Sequence, residues 1–553
     1  MAKTNTVIFW GAGATAKLGM RTTAQQAQFI QKLTGAKAPL DSQPSTQERV
    51  TAALNRPSKV GDELNLALVD LLSVLGDGDK ENNSIPHIWE VGCEVMRRNM
   101  PSETSQKDID AHIIHLRLYY DWPALKSIVR ICPGSDSDEF QLNDLFNVLD
   151  MHGPAGFGFR APSADAADGA QFLTPRRVMG AKDALRMLLG VAMYIDYKDC
   201  IGDKADTLQL YKDFATLLGQ RMQTQGVELA QSTTEFDQPK FYQGDVSFVS
   251  LNYDPLALWV QYLANKELNN RPDVPHVGSP ATKLQMFHDS GHFIPSRRIN
   301  KPGKWYPMNE AVAQRMNEVL SENGIVRLAK FLFPHGCVCW RECPDCGKLS
   351  SYMGDDWKLI SPSLIPPPPF WSFDKTACQS SVEEAEREIR QSQGRVDARA
   401  CVHCKTMTYA HHTQTVMQSS FKAQPPSFIE EIQRDLRAVA MKANHFIFMG
   451  YSLPKNDVIY RAFFSARKQK SKPKDIEEQD VRCTVIGLDD ANTGWYSHAE
   501  LGGEKFQKSE VIKAACDIFG KGNVRFFGGG VPGVFLENGV ATEFALNRLL
   551  EWS

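Results

Sequence analysis

No apolar run in this sequence is long enough to cross a bilayer. The longest, around Ala184 to Ile195, falls well short of the roughly 20 residues a spanning helix needs. A surplus of charge is missing too. Lys and Arg number 62 and Asp and Glu 65, a formal charge of −3 over 553 residues. That balance argues against direct nucleic-acid binding and against a role on anionic membrane surfaces. A disulfide framework is also absent. Of twelve cysteines, four fall in two tight pairs, and the others are scattered except Cys337 and Cys339, which stand just before the first pair and are the rival metal ligands. This is metal usage in a reducing compartment. From Met1 the chain runs straight into a strand and a glycine turn, with no leader segment, so the expected location is cytoplasmic. No fixed-period repeat is visible, and the length suggests roughly two to four domains.

What is present is led by two C-x-x-C pairs, Cys343-Pro-Asp-Cys346 and Cys401-Val-His-Cys404. Four thiolates on two short hooks suit a tetrahedral zinc ion. The sequence therefore predicts one structural zinc on Cys343, Cys346, Cys401 and Cys404. His335-Gly336 stands just upstream, which puts an imidazole of near-neutral pKa beside the metal module.

The strand and helix signals divide the chain further. Thr6 to Trp10 is a short apolar run ending in Gly11-Ala12-Gly13, and a helical stretch is expected next. Between about 24 and 240 the pattern is mostly helical, as in Leu64 to Leu75, Asp108 to Tyr120 and Ala181 to Tyr194. Strand character returns at Val246 to Ser250, which leads into Leu251-Asn252-Tyr253-Asp254. Val326 to Phe333 runs into Pro334-His335-Gly336, and His445 to Met449 ends in Gly450-Tyr451-Ser452-Leu453-Pro454. A helix is expected over Val458 to Lys468, a strand over Arg482 to Leu488 ending in Asp489, and a helix over Thr542 to Trp552.

Strands separated by helices, with glycine or polar residues at their carboxyl ends, predict an α/β fold. The expected architecture is a Rossmann-like, doubly wound parallel sheet with a large helical insertion and a small zinc-ribbon module. Residues 1–23, 241–336 and 426–553 would form the dinucleotide-binding core. Residues 24–240 would be the insertion and 337–425 the zinc module. Taken alone, several of these pieces have plainer readings. Gly11-Ala12-Gly13 can be a simple strand-to-helix turn, Asn252 and Asp254 an Asx turn, and Asp489 a solvated acid at a strand end.

Read in order, Gly11-Ala12-Gly13, Ser250-Leu-Asn252-Tyr-Asp254, His335-Gly336, the two C-x-x-C pairs and Gly450-Tyr451-Ser452 resemble the sirtuin superfamily, in particular its divergent bacterial members. The motifs cover a minority of the chain, but their order is specific. The resemblance implies NAD as substrate. It implies that Gly11, Ala12 and Gly13 cradle the dinucleotide phosphates, with Gly450, Tyr451 and Ser452 on the phosphate and ribose side and Asp489 at the adenosine ribose. It also implies that Asn252 and Asp254 stand beside the nicotinamide ribose and that His335 is the catalytic histidine.

Two departures matter. Gly19-Met20-Arg21-Thr22-Thr23 lacks the Gly-Ile-Pro and Asp-Phe-Arg continuation that the family usually shows. After Cys404 there is no Phe-Gly-Glu segment to clamp an acyl-lysine peptide. The expected activity is therefore an NAD+ hydrolase that releases nicotinamide and ADP-ribose, a chemistry that divergent relatives use in anti-phage defence. Protein deacylation, ADP-ribosyl transfer and a non-catalytic nucleotide-sensing module are the alternatives. A homo-oligomer or a partner protein acting through the helical insertion is expected.

Overall fold

The computed structural model describes residues 5–33, 121–152, 156–162, 169–230, 246–270, 285–289, 293–294, 304–305, 325–342, 349–351, 399–400, 407–408, 412–415, 419, 427–454, 457–469, 481–503, 506 and 509–552. By internal contacts the chain forms two units. The first comprises Met1–Met20, Asp199–Cys337 and Pro426–Ser553; the second comprises Arg21–Lys198 and Val338–Pro425.

The first unit is an α/β structure built on one mostly parallel sheet. Its elements in chain order are β1 (Thr6–Trp10), α1 (Ala205–Ala230), β2 (Val246–Ser250), α2 (Leu256–Asn270), β3 (Gln285–Asp289) and β4 (Ile325–Leu332). These are followed by α3 (Ser427–Lys442), β5 (His445–Met449), α4 (Val458–Gln469), β6 (Arg482–Ile486), β7 (Trp495–Tyr496), α5 (Glu510–Phe519), β8 (Val524–Phe527) and α6 (Glu543–Leu550). The strand order is β7-β8-β6-β5-β1-β2-β4-β3. All neighbours pair in parallel except β7 with β8. Helix α1, from the 24–240 stretch that the sequence assigns to an insertion, belongs to this sheet-bearing unit.

Strands β1 and β5 lie at the centre and are buried at every position. Their continuous runs, Thr-Val-Ile-Phe-Trp and His-Phe-Ile-Phe-Met, fit a sheet covered on both faces. On one face Phe9 packs with Phe446, Phe448, Phe464 and Tyr451 at centroid distances of 5.1–6.4 Å, and Phe519 of α5 closes the cluster. On the other face Trp10 meets Tyr211 of α1 edge-on at 6.0 Å. Each such buried aromatic ring contributes about 1.5–3 kcal/mol of transfer free energy.

Polar groups close the far end of this core. His445 Nδ1 donates to the Leu550 carbonyl at 3.2 Å, and its Nε2 meets the Thr484 hydroxyl at 2.7 Å. Arg525 donates to Thr484 Oγ1 and to the carbonyls of Leu549 and Glu551. The carbonyls that the end of α6 cannot satisfy internally thus receive side-chain donors.

In the second unit, helices Trp122–Ile131 and Leu142–His152 and the Pro175–Lys198 part of the long helix Pro175–Gly202 accompany an antiparallel hairpin of Phe159–Pro162 with Ala170–Leu173. A buried ion pair joins Lys182 to Asp150 at 2.6 Å, and Ser419 Oγ donates to the same carboxylate. Residues Leu64 to Leu75 and Asp108 to Tyr120, read as helical from sequence, lie outside the described residues. Among the described residues no helix is long and apolar enough to cross a membrane.

Candidate active site

The chain enters the sheet at β1, adds β2, β3 and β4 on one side, then returns to place β5 on the other side of β1. The order therefore reverses between β1 and β5. In parallel α/β sheets, ligands bind at the carboxyl ends of the strands beside such a reversal.

At that reversal two glycine loops touch. Gly13 N donates to the Gly450 carbonyl at 3.0 Å, and Gly11 N to the Met449 carbonyl at 2.9 Å. A Cβ on Gly11 would lie 2.6 Å from Gly450 O, and one on Gly13 would lie 2.9 Å from Gly450 Cα. Glycine is needed here because backbone meets backbone. The amides of Gly11 and Gly13 are thus engaged within the protein. Ala12, between them, opens a single 3₁₀ turn, Ala12–Ala14, and a second turn covers Ala16–Leu18. This differs from the helix expected directly after the glycines. Gly19 stops the second turn at φ 85°, where its amide bonds back to Ala16. The Tyr211 hydroxyl on α1 fixes the loop by donating to the Ala14 carbonyl at 2.5 Å.

The partner loop after β5 is also held tightly. Gly450 has φ 59° and Leu453 φ 49°. A leucine in this region carries a backbone cost of about 1–2 kcal/mol. Arg461 donates to the Leu453 carbonyl at 3.2 Å, and the Tyr451 hydroxyl to Asp457 Oδ2 at 2.5 Å. Burial, then the Asp457 charge, pushes the Tyr451 hydroxyl well above its usual range. Ser452 is exposed.

One strand over, Leu251 N continues the ladder onto the Trp10 carbonyl at 2.9 Å, which brings Asn252 to the carboxyl end of β2. Asp254 is buried, and its Oδ1 accepts from Leu256 N at 3.0 Å. This is an Asx turn at the start of α2. Desolvation raises the Asp254 carboxyl to about 6, and the Leu256 amide and the neighbouring Asn252 side chain offset part of that rise. The Asn252 side-chain amide thus faces the Asp254 carboxylate.

His335 comes from the end of β4. Gly336 N bonds to the Phe333 carbonyl at 3.0 Å, and Gly336 has φ 77°. Pro334 and His335 are the central residues of this turn, a position that Pro favours. Gln433 of α3 donates to the Pro334 carbonyl at 3.2 Å. The imidazole is buried, with Nδ1 3.3 Å from the Leu251 carbonyl and Nε2 3.1 Å from the Tyr460 hydroxyl. The Leu251 carbonyl thus ties His335 directly to the segment bearing Asn252 and Asp254. The ring of Tyr253 lies 6.4 Å from that of His335.

Asp489 follows β6 and is half-buried. Its Oδ1 accepts from Ala491 N at 3.1 Å and its Oδ2 from Asn492 Nδ2 at 3.0 Å. Both oxygens organise their own turn, and each retains acceptor capacity.

The fold therefore brings Asn252, Asp254 and His335 together, and separately brings Gly11 and Gly13 against Gly450. Tyr460 was not visible from sequence. It lies inside α4, and its contact with His335 spans 125 residues. Cys343, Cys346, Cys401 and Cys404 lie outside the described residues. Among the described residues no cluster of three or more His, Cys, Asp or Glu side chains is arranged to hold a metal. The chain matches no protein-family model and no curated protein sequence.

Proposed function

We propose that this chain is an NAD+ hydrolase of sirtuin type, with a Rossmann-like core, that cleaves the bond between nicotinamide and ribose. The observation that carries the reading is the convergence of Asn252, Asp254 and His335 at the carboxyl ends of β2 and β4, linked through the Leu251 carbonyl. The Asn252 side chain, beside the Asp254 carboxylate, offers amide groups of the kind that orient a ribose hydroxyl or a water. The glycine seam between Gly13 and Gly450 packs backbone on backbone at the strand-order reversal, the place where parallel α/β sheets bind their ligands.

In this reaction the C–N bond breaks and nicotinamide leaves with the bonding electrons, which neutralises its ring charge. Water adds to the anomeric carbon and loses one proton. The products are nicotinamide, ADP-ribose and a proton. Asn252 orients the water or the ribose hydroxyl. Asp254, when ionised, stabilises the cationic character of the ribose in the transition state. His335 is the proton acceptor. Gly11, Ala12, Gly13, Gly450, Tyr451 and Ser452 are assigned to the phosphate and ribose side, and Asp489 to the adenosine ribose. The same reading assigns one structural zinc, in a zinc-ribbon module, to Cys343, Cys346, Cys401 and Cys404. It also assigns the activity to the cytoplasm, where NAD depletion serves anti-phage defence.

Incubating the purified chain with NAD alone, and with NAD plus an acetylated peptide, tests the reading through nicotinamide release. Release without peptide supports the hydrolase. Release only with peptide selects a deacylase, and no release under either condition removes the enzymatic reading.

A further inference from the structure

His335 is buried and both of its ring nitrogens are bonded within the protein. The hydrogen positions follow from its partners. The Leu251 carbonyl, 3.3 Å from Nδ1, can only accept, so the ring donates from Nδ1. The neutral ring then keeps its lone pair on Nε2, and the Tyr460 hydroxyl at 3.1 Å must be the donor there. The nitrogen that a proton acceptor would use is therefore already occupied at rest.

Tyr460 is well held for this contact. Its ring stands edge-on to the imidazole at 5.7 Å and edge-on to Phe9 at 6.3 Å, and it is buried. Its hydroxyl stays protonated far above neutral pH, because of burial first and then the charges of Asp457 and Tyr253.

We propose that Tyr460 is the positioning residue for His335, donating to Nε2 while the ring is neutral and, as Nε2 takes the proton that the attacking water loses, turning its hydroxyl so that its oxygen accepts from the new Nε2–H. This rests on the reading of His335 as proton acceptor. A hydroxyl is suited to the task because it both donates and accepts and rotates about one bond. An ammonium in its place could only donate, and an ionised carboxylate could only accept. A buried imidazolium N–H with no acceptor would carry the full desolvation penalty of a charged donor. Phenylalanine would fill the same space and serve neither state, so packing alone does not account for the hydroxyl.

Tyr460→Phe in the full chain tests the proposal in two ways. The first uses protein labelled with ring-¹⁵N histidine, with His335→Gln to identify the signal. In the parent, Nδ1 is expected to be the protonated nitrogen and Nε2 an unprotonated, hydrogen-bonded one. In Tyr460→Phe the Nε2 resonance moves downfield as its donor is lost, while Nδ1 stays protonated. A parent ring protonated at Nε2, or an Nε2 signal unmoved in the variant, overturns the proposal. If the variant does not fold, the parent spectrum alone decides between these outcomes.

The second readout is nicotinamide release, where kcat should fall about 10-fold or more with KM within about twofold, the pattern of an interaction made in the transition state. Unchanged kcat in a folded variant overturns the positioning role even if the resonance moves. If the parent, His335→Gln and Asn252→Ala release nicotinamide indistinguishably, the NAD reading falls by itself. A moved Nε2 signal would then still support the pairing of Tyr460 with His335.

Discussion

The Gly450 carbonyl accepts from Gly13 N at 3.0 Å, and a Cβ on Gly450 would lie 2.0 Å from Ala14 N. With Gly450 also at φ 59°, alanine there meets both a collision with rigid backbone and an unfavourable dihedral. Gly450→Ala is expected to cost more than about 3 kcal/mol, from backbone displacement and left-handed strain together. Gly19→Ala is the control. It has φ 85° but no atom within 4 Å of an added Cβ. Its expected cost is the dihedral alone, about 1–2 kcal/mol. Urea denaturation of the two variants measures the difference.

Asn252→Ala and His335→Ala should each remove nicotinamide release while leaving far-UV circular dichroism unchanged. For the histidine the expected loss is on the order of 10²–10⁴-fold, the range of a positioned acid-base group. Asp489→Ala should chiefly raise KM, because contacts to the adenosine ribose are similar in ground and transition states. A His335→Ala variant that turns over at the parental rate would exclude this histidine from the reaction.

Asp254 makes an opposite prediction for stability and activity. Its folded pKa, raised by burial to about 6, exceeds the ordinary 3.8. The folded state therefore holds the proton more tightly than the unfolded chain. Stability from this group is full below the ordinary value and is lost as pH rises through about 6. At neutral pH the loss is at most about 3 kcal/mol. Asp254→Asn keeps an acceptor for Leu256 N without the charge. It should be more stable than the parent at pH 7.5, equal to it near pH 3.5, and inactive. Equal stability at both pH values would contradict the burial cost.

His445 should make the protein acid-sensitive in the other direction. Burial, and next the Arg525 cation, hold its pKa down to about 3, against 6.5 for the free side chain. Below pH 6.5 the unfolded chain gains a proton that the folded state refuses. The contribution is complete above pH 6.5 and falls by about 1.4 kcal/mol per pH unit toward pH 3. His445→Gln should show a flatter stability profile between pH 6.5 and 4.5. Asp254 titrates in part of this window with the opposite sign, so the comparison is cleanest in an Asp254→Asn background.

Elemental analysis of protein purified without chelator should find one zinc per chain. Replacing Cys343 or Cys404 with Ser should lower soluble yield before it lowers turnover per folded molecule, because structural zinc contributes directly to folding. A metal-free preparation of full stability would rule out the four-cysteine site.

The central strands were legible because they are short, mostly apolar runs bounded by glycine or polar residues. Thr6–Trp10, Val246–Ser250 and His445–Met449 stand with the bounds read from sequence. Strand β8 was not, since Val524-Arg-Phe-Phe527 is brief and lies next to a run of glycines, and its Arg525 is buried only because Thr484 and the α6 carbonyls receive it. Asn252, Asp254 and His335 could be picked out through the motif order that resembles the sirtuins, since taken alone Asn252 and Asp254 read as an Asx turn and a lone His before Gly as structural. The engagement of the Gly11 and Gly13 amides could not, because their acceptors come from the far end of the chain. Tyr460 was hidden for a related reason, since an interior helix position carries no local mark of a distant imidazole.

The place of β1 also has a consequence for biosynthesis. Thr6–Trp10 pairs with Val246–Ser250 on one side and with His445–Met449 on the other. At ribosomal speeds of about 5–20 residues per second, the second neighbour emerges tens of seconds after the first strand. Throughout that interval a five-residue apolar strand has no native pairing partner on the β5 side. Its survival over that interval depends on chaperone cover, so chaperone-rich expression should raise the yield of folded chain.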